Sequence, residues 1–171
     1  MIFFKFKSIY SYHLDSDVDK SIMPESANER MNPPVLPIKG RPYVLISLCF
    51  LGVSCRYHAE TRRMGRELMK KKLIMELSER YNILPLCGEQ IGGLPTPREP
   101  CKVVNGKVID RNTEKTDYTK EYYHGAQEIL RLCRMFEVEH AYLLKDSPMC
   151  GKGYGILAKL LEENGIIVHK K

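Results

Sequence analysis

The chain has no tryptophan, and aromatic residues make up only 9% of its 171 positions. That scarcity counts against a platform on which bases or sugars stack. No apolar run approaches the roughly 20 residues a bilayer span needs, so no membrane partner is expected. The opening Met1-Ile2-Phe3-Phe4-Lys5-Phe6-Lys7 is too short in its apolar part for a secretory signal, and Lys5 and Lys7 interrupt it. There is no Cys-x-x-Cys pair, and the six cysteines lack the dense spacing of a small secreted disulfide scaffold. These absences point to a reducing, cytoplasmic setting, where thiolates are available to a metal.

Apolar side chains account for 43% of the residues, enough for one ordinary domain with a remainder. The balance of 27 basic to 21 acidic residues gives a net charge of +6. Much of the excess lies in Arg62, Arg63, Arg66, Lys70, Lys71 and Lys72. This run reads first as the solvated face of a helix, because no nucleic-acid motif accompanies it. An anionic partner such as tRNA is the second reading.

Residues 1–39 are rich in Ser, Asp and Asn and end in Pro33, Pro34 and Pro37. They read as a poorly ordered extension ahead of a single domain at 40–171. Tyr43 to Leu48 is a nearly continuous apolar run, the pattern of a strand buried on both faces. A helix is expected over 61–81, then a strand at Ile83–Leu86. Gly92 to Arg98 reads as a rigid loop, and Asn105-Gly106 as the turn of a hairpin at 103–108. A helix entering near Asp117 or Thr119 carries Tyr122, Ala126, Ile129, Cys133 and Phe136 at spacings of three or four. Ala141–Leu144 is a further strand, Ile156–Glu163 a helix closed by Asn164-Gly165, and Ile166–Val168 a last strand. Alternating strands and helices predict an α/β domain with a mostly parallel sheet flanked by helices. Such sheets place ligands beyond the carboxyl ends of their strands, and Cys49, Cys87 and Cys150 each follow such an end.

Cys133 lies on an apolar helical stripe and reads as core. Cys101 reads as an incidental loop thiol, and Cys55, six residues past Cys49, is ambiguous between a loop residue and a site residue. Cys49, Cys87 and Cys150 have Gly or Pro neighbours that leave backbone N–H groups available to an anionic cluster. Three ligands would leave one iron of a four-iron cube without a protein ligand. A zinc-binding structural domain is the competing metal reading.

Three segments carry a resemblance. Cys49-Phe50-Leu51-Gly52-Val53-Ser54-Cys55-Arg56-Tyr57, the run from Cys87-Gly88-Glu89-Gln90 to Thr96-Pro97-Arg98, and Ser147-Pro148-Met149-Cys150-Gly151 resemble the signatures of the DUF523 family, whose characterised type is thiouracil desulfidase. The likeness spans about residues 42–169. It implies a Rossmann-like domain holding a [4Fe-4S] cluster through Cys49, Cys87 and Cys150. It also implies removal of sulfur from a thiolated pyrimidine base or nucleoside, with release of sulfide; a related branch acts on thiouridine in tRNA. For the acid–base step Glu89 is the first candidate, with a loop-capping carboxylate as the equal alternative. Ser147 is expected to orient water or the base, and Lys145 to offset cluster charge. Arg98 is expected to lock its loop. The alternative function is a non-catalytic cluster carrier or redox sensor, in which Cys55 or Cys101 supplies a fourth ligand. The chain departs from the family in having Gly88 where Pro is usual, His58-Ala59 where Asp-Gly is usual, and a shorter stretch after Gly151.

Overall fold

The computed structural model describes residues 37–59 and 67–170, with side chains for 37–59 and 71–169. The anticipated extension up to residue 36 and the start of the first helix, with Arg62, Arg63 and Arg66, lie outside the described residues. Of the basic run, the side chains of Lys71 and Lys72 are described, and both are exposed.

The strands are β1 (Tyr43–Ser47), β2 (Asn82–Leu86), β3 (Cys101–Val104), β4 (Lys107–Asp110), β5 (His140–Leu143) and β6 (Ile167–Lys170). The helices are α1 (Glu67–Arg80), α2 (Gly88–Ile91), α3 (Thr119–Met135) and α4 (Ile156–Glu163). Four strands form one parallel sheet in the order β2-β1-β5-β6, while β3 and β4 make a separate antiparallel hairpin.

The apolar run of β1 has the burial that its composition predicts. Leu45 points into the core made with α3 and α4, whereas Val44 and Ile46 point into a second core with Leu77 of α1. None of the three is more than 1% exposed. With both faces covered, alternation gives way to a continuous hydrophobic run. Pro85 sits in β2, an edge strand, where a missing N–H costs no ladder bond to a further neighbour. In the hairpin turn Asn105 and Gly106 have φ of 51° and 78°, the pair of left-handed residues a two-residue hairpin loop requires. At the start of α3 the N-cap is Tyr118, between the two expected residues, and its side chain makes no capping bond; Asp117 Oδ1, one position earlier, accepts the Thr119 N–H at 2.8 Å. Element ends differ from the sequence pattern by a residue or two, as terminal hydrogen bonds allow.

One topological fact positions the site. From β1 the chain crosses to β2 on one side and later returns to β5 on the other. The carboxyl end of β1 is therefore the switch point of the sheet, where loops diverge and a crevice opens.

Candidate active site

Each of the three expected cysteines lies just beyond that edge. Cys49 belongs to a single 3-10 turn, Leu48–Leu51, that follows β1 directly and closes on Gly52 at φ 94°. Cys87 is the one residue between β2 and α2, and Cys150 lies in the loop between β5 and α4. All three line one cavity of about 290 Å³, together with Cys55, Cys101, Glu89, Arg98 and Ser147. Cys133 is buried on α3 away from it, as its place on the apolar stripe implied. Lys145 is not among the lining residues, although its neighbours Leu144 and Asp146 are.

The loops are braced against one another. Met149, 1% exposed, packs so closely on Gly88 that a Cβ there would lie 2.8 Å from its sulfur. That contact joins the Cys87 loop to the Cys150 loop, at a position where the resemblance leads one to expect proline. Ser147 Oγ accepts the N–H groups of Met149 and Cys150, each at 3.2 Å, which tightens the turn carrying Cys150.

Every one of the three thiols has a hydrogen-bond partner for its sulfur. Cys49 Sγ lies 3.9 Å from Ser47 Oγ and is also bonded by Cys55. Cys87 is bonded by the Cys55 thiol and by the backbone N–H of Gln90, and Cys150 by the Ser147 hydroxyl. The proton affinities divide accordingly. The Cys55 thiol holds Cys49 below the ordinary thiol range despite burial, with help from Ser47. The same thiol, aided by Gln90, draws Cys87 down to about 7. Cys55 keeps its proton, pushed far up by the two sulfurs it bonds. Burial pushes Cys150 well up, against the Ser147 bond.

Arg98 and Glu89 form a second feature of the cavity wall. Arg98 Nε donates to Glu89 Oε2 at 2.7 Å, and Nη2 makes a further contact with the same oxygen. Their side chains are 6% and 13% exposed, so the pair is largely withdrawn from water. The rest of the guanidinium donates to the carbonyls of Cys55 and Pro95 and to Thr96 Oγ1, at 2.9, 3.0 and 3.0 Å. Arg98 thus ties the Cys55 loop, the Pro95–Arg98 loop and the start of α2 into one unit.

Ser47 is a site residue that reading the sequence passed over. It is 2% exposed at the end of β1, accepts the Leu144 N–H at 3.2 Å and faces Cys49. The available signal was a polar residue closing an otherwise unbroken apolar strand, two positions before a cysteine.

The donor set bears on what the cavity holds. Among the described residues, no three Cys, His, Asp or Glu side chains are gathered closely enough to hold a single metal ion. A zinc ion with Zn–S bonds of about 2.3 Å would draw its thiolates to within about 4 Å of one another. A cluster of several irons separates its protein sulfurs much more widely. Three thiols from three loops around one cavity, each with a donor on its sulfur, fit such a cluster.

The model of the 2-thiouracil desulfurase family matches residues 44–171 of the chain. YbbK of Bacillus subtilis, an uncharacterised protein, is 28% identical over 149 residues, covering 71% of this chain and 91% of the relative. Among solved structures, a [4Fe-4S]-dependent thiouracil desulfidase, TudS, superposes with a TM-score of 0.65 at 28% identity. That match covers 77% of this chain and 91% of the solved one.

Proposed function

We infer, from the premise that the chain belongs to the 2-thiouracil desulfurase family, that it is a [4Fe-4S]-dependent desulfidase acting on a thiolated pyrimidine base or nucleoside. The observation that carries this reading is the convergence of Cys49, Cys87 and Cys150, from three separate crossovers, on one cavity at the sheet's switch point. These three residues hold the cluster. When bound, it supplies an iron with an open coordination position, a Lewis acid for the thione sulfur.

The chain's own residues supply the rest. Ser47, Cys55, Gln90 and Ser147 donate to the ligand sulfurs and so spread the negative charge of the site. Glu89 lines the cavity with its Oε2 taken by Arg98, which fixes the carboxylate's orientation. Its role is to accept a proton from the attacking water and return it to the product. The net reaction exchanges C=S for C=O: water is consumed, hydrogen sulfide leaves, and no electrons are gained or lost. Ser147 serves the site by shaping the Cys150 turn and bonding its sulfur. Lys145 lies outside the lining, between Leu144 and Asp146, so its part is to offset the charge of the site from beyond the cavity wall. A small-molecule thiolated pyrimidine, which the family description names, is the first substrate, and thiouridine in tRNA is the alternative.

Protein purified without oxygen is expected to carry four irons and four acid-labile sulfides and to release sulfide from 2- or 4-thiouracil. Glu89→Gln should keep the iron and lose most turnover. A fully loaded protein that releases no sulfide from any thiolated pyrimidine, free or in tRNA, sinks the enzymatic reading in favour of a cluster carrier. In a carrier closed by a fourth ligand, Cys101→Ser or Cys55→Ser should also cost iron.

A further inference from the structure

We propose that His140 and His169 form a second metal site, which takes one divalent transition ion such as zinc on two imidazoles and completes its coordination with water. The site lies apart from the cysteine cavity, whose lining includes neither histidine, and it does not depend on the cluster reading.

The sheet brings the two rings together. Strands β5 and β6 run parallel, with His140 opposite Ile167 and Tyr142 opposite His169, so the histidines are diagonal neighbours. Alternation along the strands puts both on one face. Ala141, Leu143 and Val168 enter the core made with α3 and α4, and His140 and His169 point the other way. Ile167, on the same face of this edge strand, is 54% exposed, so water reaches the rings from that side. Both histidines are half-buried.

The spacing is that of two ligands on one ion. His169 Nε2 stands 3.2 Å from His140 Nδ1, and the ring centroids are 5.2 Å apart. Two imidazoles bound tetrahedrally at about 2.05 Å have their nitrogens about 3.3 Å apart and their centroids about 5.2 Å apart. A straight N–H···N bond of the observed length would set the centroids about 5.5 Å apart instead. Neighbouring rings hold both planes: Tyr142 stacks on His169 at 4.4 Å and 11°, and Tyr81 meets His140 edge-on at 6.3 Å. The nitrogens that share a proton in the N–H···N contact are the ones that turn to the ion, each imidazole moving its own proton to its other nitrogen. Neutral imidazole suits zinc, copper and nickel, and two protein ligands make a weak, exchangeable site.

The test uses holoprotein prepared without oxygen, its cysteines already occupied, as wild type, His140→Phe and His169→Phe. Phenylalanine keeps a ring against Tyr81 or Tyr142. Zinc chloride is titrated calorimetrically, with iron counted before and after, and only zinc bound without loss of iron is scored. Wild type should take up one zinc per chain, and either variant should bind it about tenfold more weakly or not at all. A measurement on the unaltered chain guards against variants that fail to fold. There, zinc should protect His140 and His169 from diethylpyrocarbonate, but not the exposed His124 of α3, as read by peptide mapping. A wild-type protein that binds no zinc, a variant that binds it as tightly, or unchanged modification of His140 and His169 overturns the inference. Protein that carries no iron counts against the functional reading alone, and protection of the two histidines still decides this one.

Discussion

Replacing Gly125 by alanine sets two effects of opposite sign against each other. Gly125 lies within α3, where alanine is favoured over glycine by about 1 kcal/mol from helix propensity alone. Yet a Cβ at that position would lie 1.9 Å from the carbonyl oxygen of Gly88 and 2.9 Å from the Gly92 nitrogen. These are backbone atoms of α2 and its end, so no side-chain rotation relieves the overlap. Ordinary contact begins near 3.4 Å, so α2 and α3 must part by about 1.5 Å. Forced overpacking of this kind costs roughly 1–3 kcal/mol, and an immovable partner puts the cost at the upper end. The net expectation is destabilisation by about 2 kcal/mol, or a fall in Tm of about 6 °C for a domain of this size. Because α2 begins immediately after Cys87, the displacement should also lower the iron retained after anaerobic purification. Urea and thermal unfolding followed by circular dichroism, with iron counted on the same samples, measure both effects. A variant as stable as wild type, or more so, refutes the close approach of the two helices.

Arg98→Ala leaves the Glu89 carboxylate without its partner in a site that is 13% exposed, and should cost about 3 kcal/mol or more in urea unfolding. Arg98→Lys should recover only part, since an ammonium cannot reach Glu89, Cys55 O and Thr96 together. In reduced, cluster-free protein, alkylation of Cys87 should be half-maximal near pH 7, whereas Cys133, pushed up to about 12 by burial, should not react at that pH. The folded state binds the Cys87 proton less tightly than the ordinary thiol value of 9.0, so its stabilising effect is full above that pH and fades as pH falls to about 7. Peptide mapping that finds Cys87 half-alkylated only near pH 9 would contradict the Cys55 hydrogen bond. Ala59 has φ 54°, a left-handed conformation costly to a side chain with a Cβ. Ala59→Gly should therefore stabilise the protein by up to about 1 kcal/mol, less the entropy glycine adds to the unfolded chain, and a lowered Tm would contradict that backbone.

Local signals sufficed for several parts of this molecule. The unbroken apolar run of Tyr43 to Ile46 specified a strand covered on both faces, because only burial on each side makes alternation unnecessary. Asn105-Gly106 specified the hairpin, and the spacing of Tyr122, Ala126, Ile129 and Cys133 specified the buried stripe of α3. The order βαβ, with a cysteine after each of three strands, was enough to place Cys49, Cys87 and Cys150 at one edge of a sheet. All of these depend on neighbours within a turn or two of chain, or on the handed path of a parallel crossover.

Other properties belong to the tertiary structure alone. The strand order β2-β1-β5-β6 decides which loops face each other, and periodicity carries no trace of it. Cys55 and Cys87, 32 positions apart in the chain, line one cavity, Arg98 reaches back to Cys55 O, and Ser47 receives Leu144 N–H. Lys145, adjacent in sequence to lining residues, is turned out of the lining. Six chemically identical thiols acquire different proton affinities only through these encounters, since a pKa is set by the charges, donors and solvent around a group and not by its place in the chain.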